Sequence, residues 1–250
     1  MKFLRYEYEG KTSYGILKGE TVYPVVGDVF ADFSISNAGV SLSSVKLLVP
    51  CEPTKIIAVG LNYSEHAKEM KEEQRKDPVL FTKPTTALLA DGGTIRWPKQ
   101  SQQVDYEAEL CVVIGKTADN VSPEEAEHYI FGYTCMNDVT ARDLQKIDGQ
   151  WTRAKGFNTF APTGPFIETE ADVSALDIRL EVNGEVRQSG NTSMMMFSPC
   201  ELVSFVSGIM TLLPGDVITT GTPAGIGPMN HGDKVSVIIE SIGTLTNYME

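Results

Sequence analysis

Ten consecutive residues, Asp105-Tyr106-Glu107-Ala108-Glu109-Leu110-Cys111-Val112-Val113-Ile114, carry acids at alternate positions and then turn continuously apolar. In an extended chain successive side chains point to opposite faces. This register sends Asp105, Glu107 and Glu109 one way and Tyr106, Ala108, Leu110 and Val112 the other. Carboxylates two residues apart on one face repel, and burying them unpaired costs several kcal/mol or forces protonation. The pattern therefore needs bulk water, as on a solvated edge strand, or a cation, for which a hard divalent ion is the economical choice.

With 250 residues the chain is long enough for one large domain or for a main domain with a small appendage. Its 42% apolar and 22% charged residues are an ordinary globular balance. A net charge of -12 with scattered basic residues argues against a nucleic-acid partner, because phosphate binding is driven by clustered Lys and Arg. Cys51, Cys111, Cys135 and Cys200 lack Cys-x-x-Cys spacing, and two lie in apolar strand patterns. They read as reduced small hydrophobes of a cytoplasmic protein. Charges at Lys2, Arg5, Glu7 and Glu9 leave no apolar signal-peptide core, and no run approaches the roughly 18 apolar residues of a membrane span.

Phe3 to Tyr8, Thr12 to Leu17 and Glu20 to Val26 read as short strands. A Ser-rich stretch from Ser34 to Ser44, followed by Pro50 and Pro53, places a boundary near residue 50. Residues 1–50 are then a small N-terminal β appendage and 51–250 the main domain. Lys55 to Val59 is a buried-type strand ending at Gly60. Ser64 to Asp77, dominated by Glu and Lys, predicts a helix held loosely to the body and closed by Pro78, a candidate for opening and closing. Phe81-Thr82-Lys83-Pro84 and Asp91-Gly92-Gly93-Thr94 read as turns. Ser122-Pro123-Glu124-Glu125 has the form of a capping box and predicts a helix to about Ile130.

Tyr129 to Asn137 is a buried strand that delivers Asp138. From there Asp138, Arg142 and Gln145 recur at i, i+4 and i+7, which is one face of a helix. Ile178 to Gln188 alternates around Asn183-Gly184, a hairpin signal. Ser198-Pro199-Cys200-Glu201 opens an amphipathic helix to about Met210. Val217 to Thr220, Val235 to Ile239 and Gly243 to Asn247 read as further strands. Strands outnumber helices and do not alternate with them, which predicts an α+β fold with a mixed or antiparallel sheet. The loop from Gly221 to Gly227 matches neither a phosphate loop nor a dinucleotide fingerprint, so no nucleotide cofactor is expected.

Several of these pieces recur together in one known family. Gly60-Leu61-Asn62-Tyr63 followed by His66 and Glu69, Phe81-Thr82-Lys83-Pro84, Asp105-Tyr106-Glu107-Ala108-Glu109, Asn137-Asp138 through Gln145, Lys155-Gly156-Phe157 and Gly221-Thr222-Pro223-Ala224-Gly225 occur here in that order. Over roughly residues 53 to 247 the sequence resembles the fumarylacetoacetate hydrolase superfamily. The resemblance implies a mixed β-sheet roll, barrel-like, with a few short helices. It also implies that Glu107, Glu109 and Asp138 bind Mg²⁺ or Mn²⁺, in keeping with the preference of hard cations for oxygen ligands. Asp105 reads as structural or as a residue one step behind the metal ligands.

The same resemblance makes His66 and Glu69 a dyad that activates water, on a helix that closes over the site, and Lys155 a catalytic lysine near the metal. Arg142, Gln145, Thr159 and Thr222 are implied substrate contacts. His128 and His231 have no such company and read as structural, and Met194-Met195-Met196-Phe197 as core filler in preference to pocket lining. The implied substrate is a small 2-oxo acid with a carbonyl or carboxylate at the next position, cleaved at that C–C bond by acylpyruvate hydrolysis or oxaloacetate-type decarboxylation. Isomerisation of 2-hydroxyhepta-2,4-diene-1,7-dioate, or decarboxylation of 5-oxopent-3-ene-1,2,5-tricarboxylate, is the runner-up, and a catalytically silent metal-binding protein is the alternative of another class. The appendage is shorter than the N-terminal domain of the larger fumarylacetoacetases, which argues against that particular substrate. Members of this short type are commonly homodimers, so a homodimer is expected.

Overall fold

The computed structural model describes residues 1–71 and 76–250. Its main sheet has 13 strands, built around Ala108–Ile114. This strand pairs antiparallel with Ile130–Asn137 on one side and with Val217–Thr219 on the other. Leu110, Val112 and Ile114 enter one core, Cys111 and Val113 a second core on the opposite face. Burial on both faces explains why the alternation of the acidic stretch gives way to a continuous apolar run.

Beyond Val217–Thr219 the sheet continues through Ile56–Gly60, which pairs parallel to it, to Val79–Lys83 at the edge. In the other direction it passes from Ile130–Asn137 to Ala161–Glu168 and on to Lys2–Tyr8, Lys11–Lys18, Thr21–Gly27 and Phe33–Ile35. The first strand of the chain thus joins the main sheet through the pairs Lys2 with Glu168 and Phe3 with Ile167. A second sheet of five strands carries the Asn183-Gly184 hairpin, in which both turn residues have positive φ, 54° and 84°, as a two-residue turn matched to strand twist requires. A third sheet of three short strands contains Val104–Tyr106. The fold is α+β with mixed sheets and few helices, as expected, and among the described residues no sheet closes into a barrel.

Four expectations are corrected. The Phe81–Pro84 segment is not a turn, because Val79–Lys83 completes the sheet edge. The helix expected from Ser122 shrinks to one 3₁₀ turn, Ala126–Tyr129, with no side-chain cap, and only Ala126 in it is buried. A single apolar anchor gives a longer helix nothing to pack with. The helix expected over Ser64 to Asp77 is described only as Ser64–Glu69, and residues 72–75 lie outside the described residues. That helix is less loosely held than its charge implies, since His66 and Ala67 are buried beneath it.

The helix Pro199–Ser207 forms with its capping box complete: Ser198 accepts from the Glu201 backbone N–H, and Glu201 accepts from the Ser198 backbone N–H. Ser198→Ala is expected to cost about 1 kcal/mol. In a chain of this size that lowers the melting temperature by about 2–4 °C, measured by scanning calorimetry.

Candidate active site

The acidic stretch breaks where it becomes functional. Glu107 lies between the strands Val104–Tyr106 and Ala108–Ile114, and the two strands belong to different sheets. The change of sheet lets Asp105 turn away from Glu107 and Glu109. Asp105 accepts from Arg142 Nε at 2.8 Å and from Gln103 Nε2 at 3.0 Å, a structural role. Glu107 is fixed at its backbone by Asn137, whose Oδ1 accepts the Glu107 N–H at 2.9 Å, and the Glu107 carbonyl accepts from Asp138 N. These bonds bring Asp138 beside the two glutamates. Oxygens of Glu107, Glu109 and Asp138 lie within 4.8 Å of one another, and all three residues are buried.

Asp138, Arg142 and Gln145 are not on one helix face. Asp138 precedes the short strand Thr140–Ala141, and the helix begins only at Arg142. Arg142 and Gln145 share its first turn and touch each other. Arg142 still reaches the acidic cluster, through Nη2 to Glu107 Oε1. Lys155, from the four-residue helix Thr152–Lys155, donates to Glu107 Oε2 at 2.8 Å and to Asp138 Oδ2 at 2.7 Å. Lys83 donates to Asp138 Oδ1 from the sheet edge behind.

The electrostatics are uneven across the triad. Burial by itself would raise the Glu107 carboxyl, but Lys155 and Arg142 outweigh it and hold the group well below the usual carboxylate range. Glu109 is pushed well above that range, first by burial and then by repulsion from Asp138 and Glu107. Among the described residues no cationic side chain pairs with Glu109. Its Oε2 accepts from the Thr219 hydroxyl and from Gly221 N at 2.9 Å. Gly221 can come this close because its φ is +87° and a Cβ there would meet Val59 O at 3.1 Å and Asn62 Cβ at 2.9 Å.

Four buried carboxylates, Asp105, Glu107, Glu109 and Asp138, face three buried cations, Lys83, Arg142 and Lys155. With all four carboxylates ionised one negative charge is left over on the triad, and the upward shift of Glu109 shows how unfavourable that charge is without a cation. An all-oxygen donor set with surplus negative charge and no thiolate or imidazole fits a hard divalent cation and suits zinc poorly.

His66, Gln145, Lys155, Thr222 and Trp151 line, with the triad, a cavity of about 40 Å³. His66 Nδ1 lies 3.0 Å from Glu69 Oε2. A carboxylate only accepts, so Nδ1 carries the proton and Nε2 is the basic nitrogen. Glu69 itself does not line the cavity. Its other oxygen accepts from Gly225 N at 3.1 Å, tying the short helix to the glycine-rich loop. Thr159 stands apart: its hydroxyl accepts from Arg96 N at 2.9 Å, and it does not line the cavity. His128 and His231 are exposed and distant from it, His231 stacking on Trp97 at 4.6 Å. The methionine run also lies outside the lining; Met195 and Phe197 pack on the core.

Three contributors were not legible as site residues. Lys83 falls in a segment that reads as a turn. Gln188, fully buried on the hairpin, accepts from Ala108 N and donates to Thr222 Oγ1 at 2.8 Å, bracing both sides of the cavity. Trp151 carries no polar signature at all. For Lys83 the signal available was its place in the Phe81-Thr82-Lys83-Pro84 piece of the family resemblance, and for Gln188 a polar residue in an alternating strand segment.

A sequence model of the fumarylacetoacetate hydrolase C-terminal family matches residues 55–250. The chain belongs to the fumarylacetoacetate hydrolase family. A second model, of the N-terminal region of Rv2993c-like proteins, matches residues 1–50. The chain is 42% identical over 222 residues to the oxaloacetate tautomerase YisK of Bacillus subtilis, covering 83% of this chain and 74% of that one. The solved structure of 5-carboxymethyl-2-hydroxymuconate delta-isomerase from Mycobacterium smegmatis superposes with a TM-score of 0.94 at 41% identity, covering 100% of this chain and 99% of that one. That of 2-hydroxyhepta-2,4-diene-1,7-dioate isomerase from Mycobacterium marinum gives 0.93 at 42% identity, covering 100% and 98%. These likenesses make the chain a family enzyme built around a buried acidic triad able to hold a metal ion. No helix among the described residues is long and apolar enough to cross a membrane.

Proposed function

We propose that this member of the fumarylacetoacetate hydrolase family is a Mg²⁺- or Mn²⁺-dependent enzyme that cleaves the C3–C4 bond of a 2-oxo acid bearing a carbonyl or carboxylate at C4. The observation that carries the reading is the charge balance of the buried cluster. With a divalent ion held by Glu107, Glu109 and Asp138 and all four carboxylates ionised, the cluster would carry one surplus positive charge, which the carboxylate of a 2-oxo acid would neutralise. When bound, such a cation supplies Lewis-acid stabilisation of the oxygen that becomes negative as C3–C4 breaks.

The chain's own groups do the rest. Lys155 and Arg142 add fixed positive charge beside that oxygen, in a site with little water, where such charges act most strongly. His66 Nε2 takes a proton from water, with Glu69 holding the ring and stabilising the imidazolium. In hydrolysis the water oxygen adds to the C4 carbonyl and the C3–C4 electron pair passes to C3, which is then protonated to give pyruvate. In decarboxylation the same pair passes to C3 as CO₂ leaves.

A second reading shares the enolate and omits bond cleavage. It is tautomerisation or isomerisation, with His66 moving a proton between C3 and oxygen, and it is favoured by the activities named for YisK and the two mycobacterial structures. One experiment separates them: oxaloacetate and acetylpyruvate are each given to the protein with Mg²⁺ or Mn²⁺, and again after chelation. Metal-dependent pyruvate release supports cleavage. Faster keto–enol equilibration by ultraviolet absorbance, without pyruvate, supports the second reading as a tautomerase, and no metal-dependent change of either kind overturns cleavage and oxaloacetate tautomerisation and turns the test to dienoate isomerisation.

Glu69→Gln is expected to lower turnover by up to about 10²–10⁴-fold, the usual contribution of a general base, here His66, whose ring Glu69 holds, while leaving metal affinity within a few-fold. Steady-state kinetics beside a Mn²⁺ titration checks both halves.

A further inference from the structure

We propose that Trp151, seated against Gly60, sets the length of the substrate the cavity accepts. This deepens the functional reading above and rests on it. The cavity has two unlike walls. One part of its lining carries the triad with Lys155 and Arg142, and the apolar part, Val59, Gly60, Leu61, Phe81 and Trp151, meets it where Phe81 lies under Lys155. A 2-oxo acid that turns its carboxylate and ketone oxygens to the charged wall must point the remainder of its chain at the other.

That apolar wall is built to be stiff. A Cβ on Gly60 would lie 2.7 Å from Trp151 Cζ3 and 3.0 Å from Cη2, so the six-membered ring of the indole fills the space a side chain would take. The Phe81 ring meets the indole edge-on, with centroids 5.1 Å apart and planes at 72°. Trp151 O accepts from Lys155 N at 2.9 Å, and Lys155 Nζ lies 5.1 Å from the Phe81 centroid. The backbones of Trp151 and Lys155 are therefore placed by the same helical turn, and the Phe81 ring touches both side chains. The whole cavity offers only about 40 Å³, so a chain that enters it meets the ring after a few atoms. A methylene too many against such a wall is worth about 10–200-fold.

The test is calorimetric binding of oxalate, 2-oxobutyrate, 2-oxohexanoate and 2-oxooctanoate in saturating Mn²⁺, to the unaltered protein, Trp151→Phe and Trp151→Ala. Each affinity is read as a ratio to that of oxalate, which has no chain to reach the indole. The expected result is a fall of tenfold or more from 2-oxobutyrate to 2-oxooctanoate in the unaltered protein. That fall should be largely lost in Trp151→Ala and reduced in Trp151→Phe, which decides the matter alone should the alanine variant not fold. Oxalate binding with one length profile shared by all folded variants overturns this proposal only. Failure of the unaltered protein to bind oxalate with Mn²⁺ overturns the reading of the site as well.

Discussion

Glu107→Gln is expected to weaken Mg²⁺ or Mn²⁺ binding by more than about 100-fold and to lower metal-dependent turnover at least as much. Partners one step removed from a metal commonly change affinity by 10–100-fold, and a direct ligand should exceed that. The change is nearly isosteric. Lys155 keeps Asp138 Oδ2 at 2.7 Å and Arg142 keeps Asp105 at 2.8 Å, so the fold should survive and the loss should be one of chemistry. Mn²⁺ titration by calorimetry, beside circular dichroism and turnover, measures all three quantities. Turnover that stays metal-dependent at the original rate would remove Glu107 from the metal site, and an unchanged affinity with lost turnover would confine it to catalysis.

Lys83→Met should produce the largest loss of stability, about 3–5 kcal/mol in the metal-free protein. The Lys83 side chain has no exposure and its Nζ serves Asp138 Oδ1 and, at 3.3 Å, Val139 O. Burial favours the neutral amine, and the Asp138 carboxylate only partly offsets this, so the lysine depends on its partner as the partner depends on it. Removing one member of a buried pair leaves an uncompensated charge, whereas removing both is far less costly. Urea unfolding of Lys83→Met, Asp138→Asn and the double variant should therefore give a double-variant loss well below the sum of the singles. Additive losses would mean that the two groups do not act as a pair. Saturating Mn²⁺ should restore part of the stability of Lys83→Met, because a bound cation supplies the missing charge to the folded state alone.

The strand segments, the Asn183-Gly184 hairpin and the Ser198 capping box were legible because each is encoded by neighbours in sequence: side-chain period, turn residues and a cap with its partner three residues on. The same local logic misled at Ser122, where a cap-like sequence had too little apolar surface behind it to sustain a helix. It misled again at Asp138, Arg142 and Gln145, where helical spacing was real but the helix began four residues late. The acidic residues were expected to converge through the family resemblance, while periodicity alone left Glu107 and Glu109 open to a solvated reading.

Sequence by itself determined the α+β class, because strand and turn patterns are short-range, while Glu107, Glu109 and Asp138 as candidate metal ligands and His66 with Glu69 as a candidate dyad came from the family resemblance of its motifs. Tertiary structure decided which charges neutralise which. Lys83, 55 residues before Asp138, and Gln188, 34 residues before Thr222, meet their partners only because the sheets bring distant strands together. In a buried site those long-range pairings set the surplus charge left on the triad, and a one-dimensional pattern holds no record of them.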